Sequence, residues 1–206
     1  MALTSSRLPF LPRVREGRHL RRYRQYLLEA NVLAHSAPLL AHLERLPLAV
    51  QPRAGGAAVA LIDAVQLVPR IRLVSPPSPA RELILRQLCL RWAQGQPILQ
   101  SFPILYHLDG AHDRQPTPIQ ILQREFARLG FEHDELTIKR GLAAGLWLFL
   151  LDGWDALCDD QRARWSTWLK TCAERYPAMA CVVVTGPLDA SWPAFEDWAV
   201  ADWDEQ

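Results

Sequence analysis

Two aspartates three residues apart, Asp152 and Asp155, close the apolar run Leu146-Trp147-Leu148-Phe149-Leu150-Leu151. A carboxylate ending a buried strand is placed to hold Mg²⁺ through water, and a second acid just beyond it can take a proton from attacking water. That chemistry also needs a phosphate cradle of backbone N–H groups with a cation, in a loop that follows an earlier strand. The segment in that position is Ser75-Pro76-Pro77-Ser78-Pro79-Ala80-Arg81-Glu82, directly after Ile71-Arg72-Leu73-Val74. Other chemistries find less. The four cysteines, at 89, 158, 172 and 181, are never closer than nine residues, which excludes a CxxC pair or a zinc ribbon and leaves reduced core thiols as the expectation. His35 and His42 read as solvated, and neither HExxH nor GxSxG occurs.

The elements that must bring these residues together alternate along the chain. Ser75 to Pro79 is a loop, because proline gives no N–H to a helix or ladder. The spacing predicts a helix over 80–93, with Ile84, Leu85, Leu88 and Trp92 on one stripe and Gly95 past its end. A second strand covers 104–108. Thr117-Pro118-Ile119-Gln120 supplies an N-cap, a proline at the first helical position and a capping-box glutamine, and Ile119, Leu122, Phe126 and Leu129 form the stripe before Gly130. A short polar helix falls near 134–140. The run 146–151 has no alternation, as in a strand buried on both faces of a parallel sheet. Asp159 or Asp160 caps a helix reaching about Tyr176, Ala180 to Val184 is another doubly buried strand, and 195–200 adds a fifth. This order builds an α/β fold: a parallel sheet of about five strands with helices on both faces. Ahead of it, 18–46 reads as helical with a break near Ser36-Ala37-Pro38, Gln51 to Gly56 as a loop, and 57–68 as helix or strand. The division is a helical preface over 1–56 and a core over 57–206.

At 206 residues and half hydrophobic, the chain can bury a core without metal or disulfide support. The net charge of +1 gives no global attraction to nucleic acid or membrane. Beneath that total, the first 24 residues carry seven arginines and one acid, whereas 192–206 carry five acids and no base. The arginine-rich start has the composition of a transit peptide, but Pro9 and Pro12 interrupt an amphipathic helix there. No apolar run reaches the roughly 18 residues of a membrane span. The expectation is a cytoplasmic protein with no membrane or nucleic-acid partner.

The helix 83–93, the strand Pro103-Ile104-Leu105, the run Leu148-Phe149-Leu150-Leu151-Asp152-Gly153-Trp154-Asp155 and the strand Val182-Val183-Val184-Thr185 resemble, in order and spacing, the nucleotide-binding core of NACHT-type STAND NTPases, a P-loop family. The resemblance covers about 68–206, and the hydrophobic-Asp-Gly-x-Asp segment is its most specific part. It implies a P-loop NTPase-like sheet in which the 71–74 strand lies between 180–185 and 195–200, and the 146–151 strand between 180–185 and 103–108.

The family's active-site letters are largely replaced. Where the Walker A loop reads G-x-x-x-x-G-K-[ST], all four defining positions differ. Pro79 withholds a backbone donor, and Ala80 adds a Cβ where the backbone must approach phosphate. Arg81 replaces the lysine point charge with a planar fork, and Glu82 puts a carboxylate where a hydroxyl should ligate Mg²⁺. Ala156 stands in place of the family's glutamate, and Thr185-Gly186-Pro187 lacks its arginine. Charge-assisted hydrogen bonds are worth roughly 1.5–3 kcal/mol each, so two or three losses weaken triphosphate binding by orders of magnitude. The expectation is therefore a pseudo-NTPase without cofactor, in which Ser75, Ser78, Arg81, Asp152, Asp155 and Thr185 are vestigial. Its work would be to bind a protein partner, for which Trp165, Trp168 and Leu169, with Arg162 and Arg164 beside them, offer a surface. Family members continue into helical and repeat sensor regions, so a core alone is not expected to run the sensor-to-effector switch. The alternative is a divergent ATPase in which Arg81, Asp152 and Asp155 still manage Mg-ATP.

Overall fold

The computed structural model describes residues 21–29, 49–75, 80–94, 101–108, 115–130, 134–187, 192 and 194–201, with the side chains of 80–82 excepted. The expected loop Pro76–Pro79, the break near Ser36 and most of the 18–46 helix lie outside those residues. A helix at 21–29 (α1) precedes β1 (Ala49–Pro52), β2 (Val59–Ala60), α2 (Leu61–Leu67), β3 (Arg70–Val74) and α3 (Ala80–Ala93). Then come β4 (Phe102–His107), α4 (Pro118–Arg128), α5 (Glu135–Ala143), β5 (Trp147–Asp152), a 3₁₀ turn (Trp154–Ala156), α6 (Asp159–Arg175), β6 (Ala180–Thr185) and β7 (Glu196–Val200).

The sheet runs β2-β1-β7-β3-β6-β5-β4. β7, β3, β6, β5 and β4 are parallel, and β3 lies between β6 and β7 while β5 lies between β6 and β4. The expectation of about five parallel strands needs one correction: β1 and β2 extend the sheet beyond β7, and β1 runs antiparallel to both neighbours. Gln51 and Pro52, read as loop, belong to β1. Its ladder bonds run from Arg53 N–H to the Asp197 carbonyl at 2.8 Å and from Ala201 N–H to the Ala49 carbonyl at 2.8 Å. By alternation the nitrogen of Pro52 faces away from β7, toward the side where β2 pairs only with Ala49 and Val50, so its missing N–H costs no ladder bond.

Phe149, Leu150 and Leu151 are wholly buried, as are Val182, Val183 and Val184 to within 1 %. Consecutive strand residues point to opposite faces, so both faces of the central sheet are covered. The strongest local expectation, the cap of α4, is present: the Thr117 hydroxyl accepts from Gln120 N–H at 3.2 Å, and the Gln120 side chain accepts from Thr117 N–H at 2.8 Å. At α6 the cap is Cys158 rather than an aspartate. Gln161 accepts from Cys158 N–H at 2.9 Å, and Asp159 and Asp160 fall in the first turn, where the helix dipole favours negative charge.

Helix α1 packs at the outer edge of β4. Tyr23 and Leu27 are buried, the Tyr23 ring meets Trp92 edge-on at 5.6 Å, and the Tyr23 hydroxyl donates to the Pro103 carbonyl. An edge strand leaves backbone groups unpaired. Here one such carbonyl receives a buried phenol.

Candidate functional site

β3 and β6 are neighbours, but the chain leaves β3 to return at β4 on one side and leaves β6 to return at β7 on the other. In open α/β sheets, ligands bind at the carboxyl ends of strands where the connections diverge in this way. Ser75 and Thr185 stand at that point, and both are wholly buried. Ser75 N–H donates to the Thr185 carbonyl at 3.0 Å, which carries the β3–β6 ladder one residue past β3. The Thr185 hydroxyl is buried and has no hydrogen-bond partner among the described residues. Ser78 lies outside the described residues, and so does the side chain of Arg81.

Asp152 and Asp155 lie at the end of β5, one strand further over. Asp152 accepts from the N–H of its own neighbour Gly153 at 2.7 Å. Gly153 has φ 88°, and a Cβ there would meet His107 Cε1 at 2.7 Å and the Leu108 carbonyl at 2.8 Å. Only glycine fits both the left-handed backbone and that contact. The turn it releases carries Asp155, whose carboxylate accepts from Gly186 N–H at 2.9 Å. Arg162 holds the same turn from below, donating to the Asp155 carbonyl at 3.0 Å and to the Trp154 carbonyl at 3.4 Å. The carboxylate thus joins the loop after β5 to the loop after β6.

Each aspartate has one carboxylate oxygen engaged by a backbone amide. The acid expected to work on water is oriented toward a backbone amide, and the acid expected to face metal turns to its own neighbouring N–H. Among the described residues, no three His, Cys, Asp or Glu side chains stand close enough to hold a metal ion.

The expected tryptophan surface on α6 is largely interior. Trp165 is 1 % exposed and Leu169 is buried, while the Trp168 indole donates to the Pro116 carbonyl at 2.7 Å. Of the four cysteines, all free, Cys89, Cys172 and Cys181 are buried as expected, but Cys158 is exposed. Burial pushes the thiols of Cys89 and Cys172 up to about 12, so they are protonated and inert at neutral pH.

Two features had no counterpart in the sequence reading. Arg72, in the middle of β3, is buried and pairs with Asp197 opposite it on β7, its guanidinium lying 5.4 Å from the Trp192 ring centroid. An arginine between apolar neighbours in a short strand was the available signal, but its partner is 125 residues away. The second is a cleft of about 400 Å³ beside β4, between α1, α3 and α4. No helix among the described residues is long and apolar enough to cross a membrane. No protein-family model matches the chain, and no curated protein matches it.

Proposed function

We propose that this chain is a catalytically inactive NTPase-like domain of the NACHT/STAND kind, acting as a protein-binding or scaffolding module, with an active NTPase of the same kind as its partner. The observation that carries this reading is the bond from Gly186 N–H to the Asp155 carboxylate. It commits to the scaffold the acid that would otherwise activate water. The parallel order β7-β3-β6-β5-β4 supports an NTPase-like ancestry, because it is the order the resemblance implies. The replaced phosphate loop, with Pro79, Ala80 and Glu82 in place of donors, backbone clearance and a metal-binding hydroxyl, supports loss of the activity.

One observation favours the divergent ATPase instead. The Thr185 hydroxyl, without a hydrogen-bond partner among the described residues, sits at the strand ends where a nucleotide would lie, and Arg81, Asp152 and Asp155 would then serve Mg-ATP. Phosphate release from ATP by the purified chain separates the two. An inactive domain gives a rate equal to that of Asp152→Ala, whereas hydrolysis abolished by Asp152→Ala establishes the enzyme.

A further inference from the structure

We propose that the outer edge of β4, beyond Pro103, takes up an extended acidic peptide as an added strand. This rests on the reading of the chain as a protein-binding module and names the surface and the partner. Among the described residues, β4 is the last strand of the sheet. Phe102 N–H donates to the Leu146 carbonyl and Leu108 N–H to the Asp152 carbonyl, both at 2.7 Å, on the β5 side. Backbone groups alternate along a strand, so those of 102, 104, 106 and 108 face β5, and those of Pro103, Leu105 and His107 face outward.

Pro103 is closed to a partner, since it has no N–H and its carbonyl takes the Tyr23 hydroxyl. Leu105 and His107 differ. Among the described residues no group hydrogen-bonds to either, which leaves two N–H donors and two carbonyl acceptors along the edge. Exposure rises in the same direction: Pro103 is buried, Leu105 half-buried and His107 exposed. Strand addition takes its affinity from such main-chain groups and its specificity from flanking pockets that receive alternate side chains.

The flanking pocket is the cleft of about 400 Å³, lined by Leu105 and His107 together with Arg86 of α3, Glu125 and Arg128 of α4 and Tyr26 of α1. Two arginines face one glutamate. That glutamate is bonded to Arg128 at 3.1 Å. The Arg128 side chain is 59 % exposed and reaches solvent. Arg21 and Arg22 of α1 are exposed nearby in sequence to Tyr23. A second copy pairing through the same edge would bring these arginines against themselves, whereas an acidic strand meets opposite charge.

The test uses the full chain and three blocked peptides of about six residues, the usual strand length. One alternates valine with glutamate, one alternates valine with lysine, and one is the glutamate peptide N-methylated at every amide. The glutamate peptide should slow amide hydrogen exchange at Leu105 and His107 and bind at least about tenfold more tightly than the lysine peptide, a difference of about 1.4 kcal/mol. The methylated peptide should not bind. Arg86→Glu with Arg128→Glu should invert the preference, and Leu105→Pro should abolish binding. Should Leu105→Pro not fold, the methylated peptide makes the same test from the ligand's side. Unchanged exchange at Leu105 and His107, equal binding of the methylated peptide, or protection that grows with protein concentration alone would each overturn the inference. Those results would leave the protein-binding reading standing, whereas ATP hydrolysis would overturn that reading whatever the peptides do.

Discussion

The carboxylate of the exposed Asp155 accepts the part-buried bond from Gly186 N–H, and that bond sets the upper bound on what its loss should cost. A hydrogen bond to a charged group is worth about 1.5–3 kcal/mol, and removing the acceptor leaves Gly186 N–H without its partner. Asp155→Ala should therefore lower urea-unfolding stability by up to about that amount, while Asp155→Asn, which keeps an acceptor oxygen, should lose less. Glu125 offers a second test. Burial raises its pKa and the neighbouring Arg128 opposes the rise only in part. The folded chain then holds the Glu125 proton more tightly than the unfolded chain, whose glutamate titrates near 4.3. The stability this group contributes is fully present below about 4.3 and is lost as pH rises through the raised folded value. Unfolding measured across that window should show the slope in the native sequence and not in Glu125→Gln. Asp152 and Asp155 were legible as a pair because their spacing after an apolar run is local. Their hydrogen-bonding was not, since Gly186 lies 31 residues from Asp155 and nothing near either position signals the contact.

At the scale of elements, β3 and β7 are joined by more than their ladder. Arg72 is buried against Asp197, whose side chain is 26 % exposed, and removing one partner of such a pair costs up to about 3–5 kcal/mol. Asp197→Ala should destabilise the chain by up to that amount in urea, and Arg72→Met combined with Asp197→Leu should recover most of the loss. A double variant as unstable as Asp197→Ala would show that the cost came from packing rather than from the guanidinium's lost charge partner. The elements differ in how legible they were. The cap of α4 is written within four consecutive residues, and 146–151 and 180–184 announce themselves by uninterrupted apolar character. β1 was hidden because its evidence is non-local: Gln51 and Pro52 resemble a turn until Ala199 and Trp198 lie opposite them. The α6 surface was misread for a related reason. Trp165 and Leu169 are four residues apart, a spacing that suits a core stripe as well as a docking face, and burial against Tyr106 decides for the core.

For the whole molecule, a five-stranded parallel arrangement with divergent connections between β3 and β6 is one in which ligands are expected at the carboxyl ends of those two strands. In this chain the described segments at the ends of β3, β5 and β6 are bonded to one another, through Ser75 to Thr185 and Gly186 to Asp155, and the segment after β3 that, on the proposed reading, stands in for a phosphate loop carries Pro79, Ala80 and Glu82. The pseudo-NTPase reading therefore depends on one property of the intact fold, its indifference to nucleotide. Thermal unfolding with and without about 1 mM Mg-ATP measures that property directly. An inactive site leaves the midpoint where it stands in the absence of nucleotide. A site with a Kd near 10 μM would add about 2.7 kcal/mol and raise the midpoint clearly, and that rise would contradict the loss of nucleotide binding.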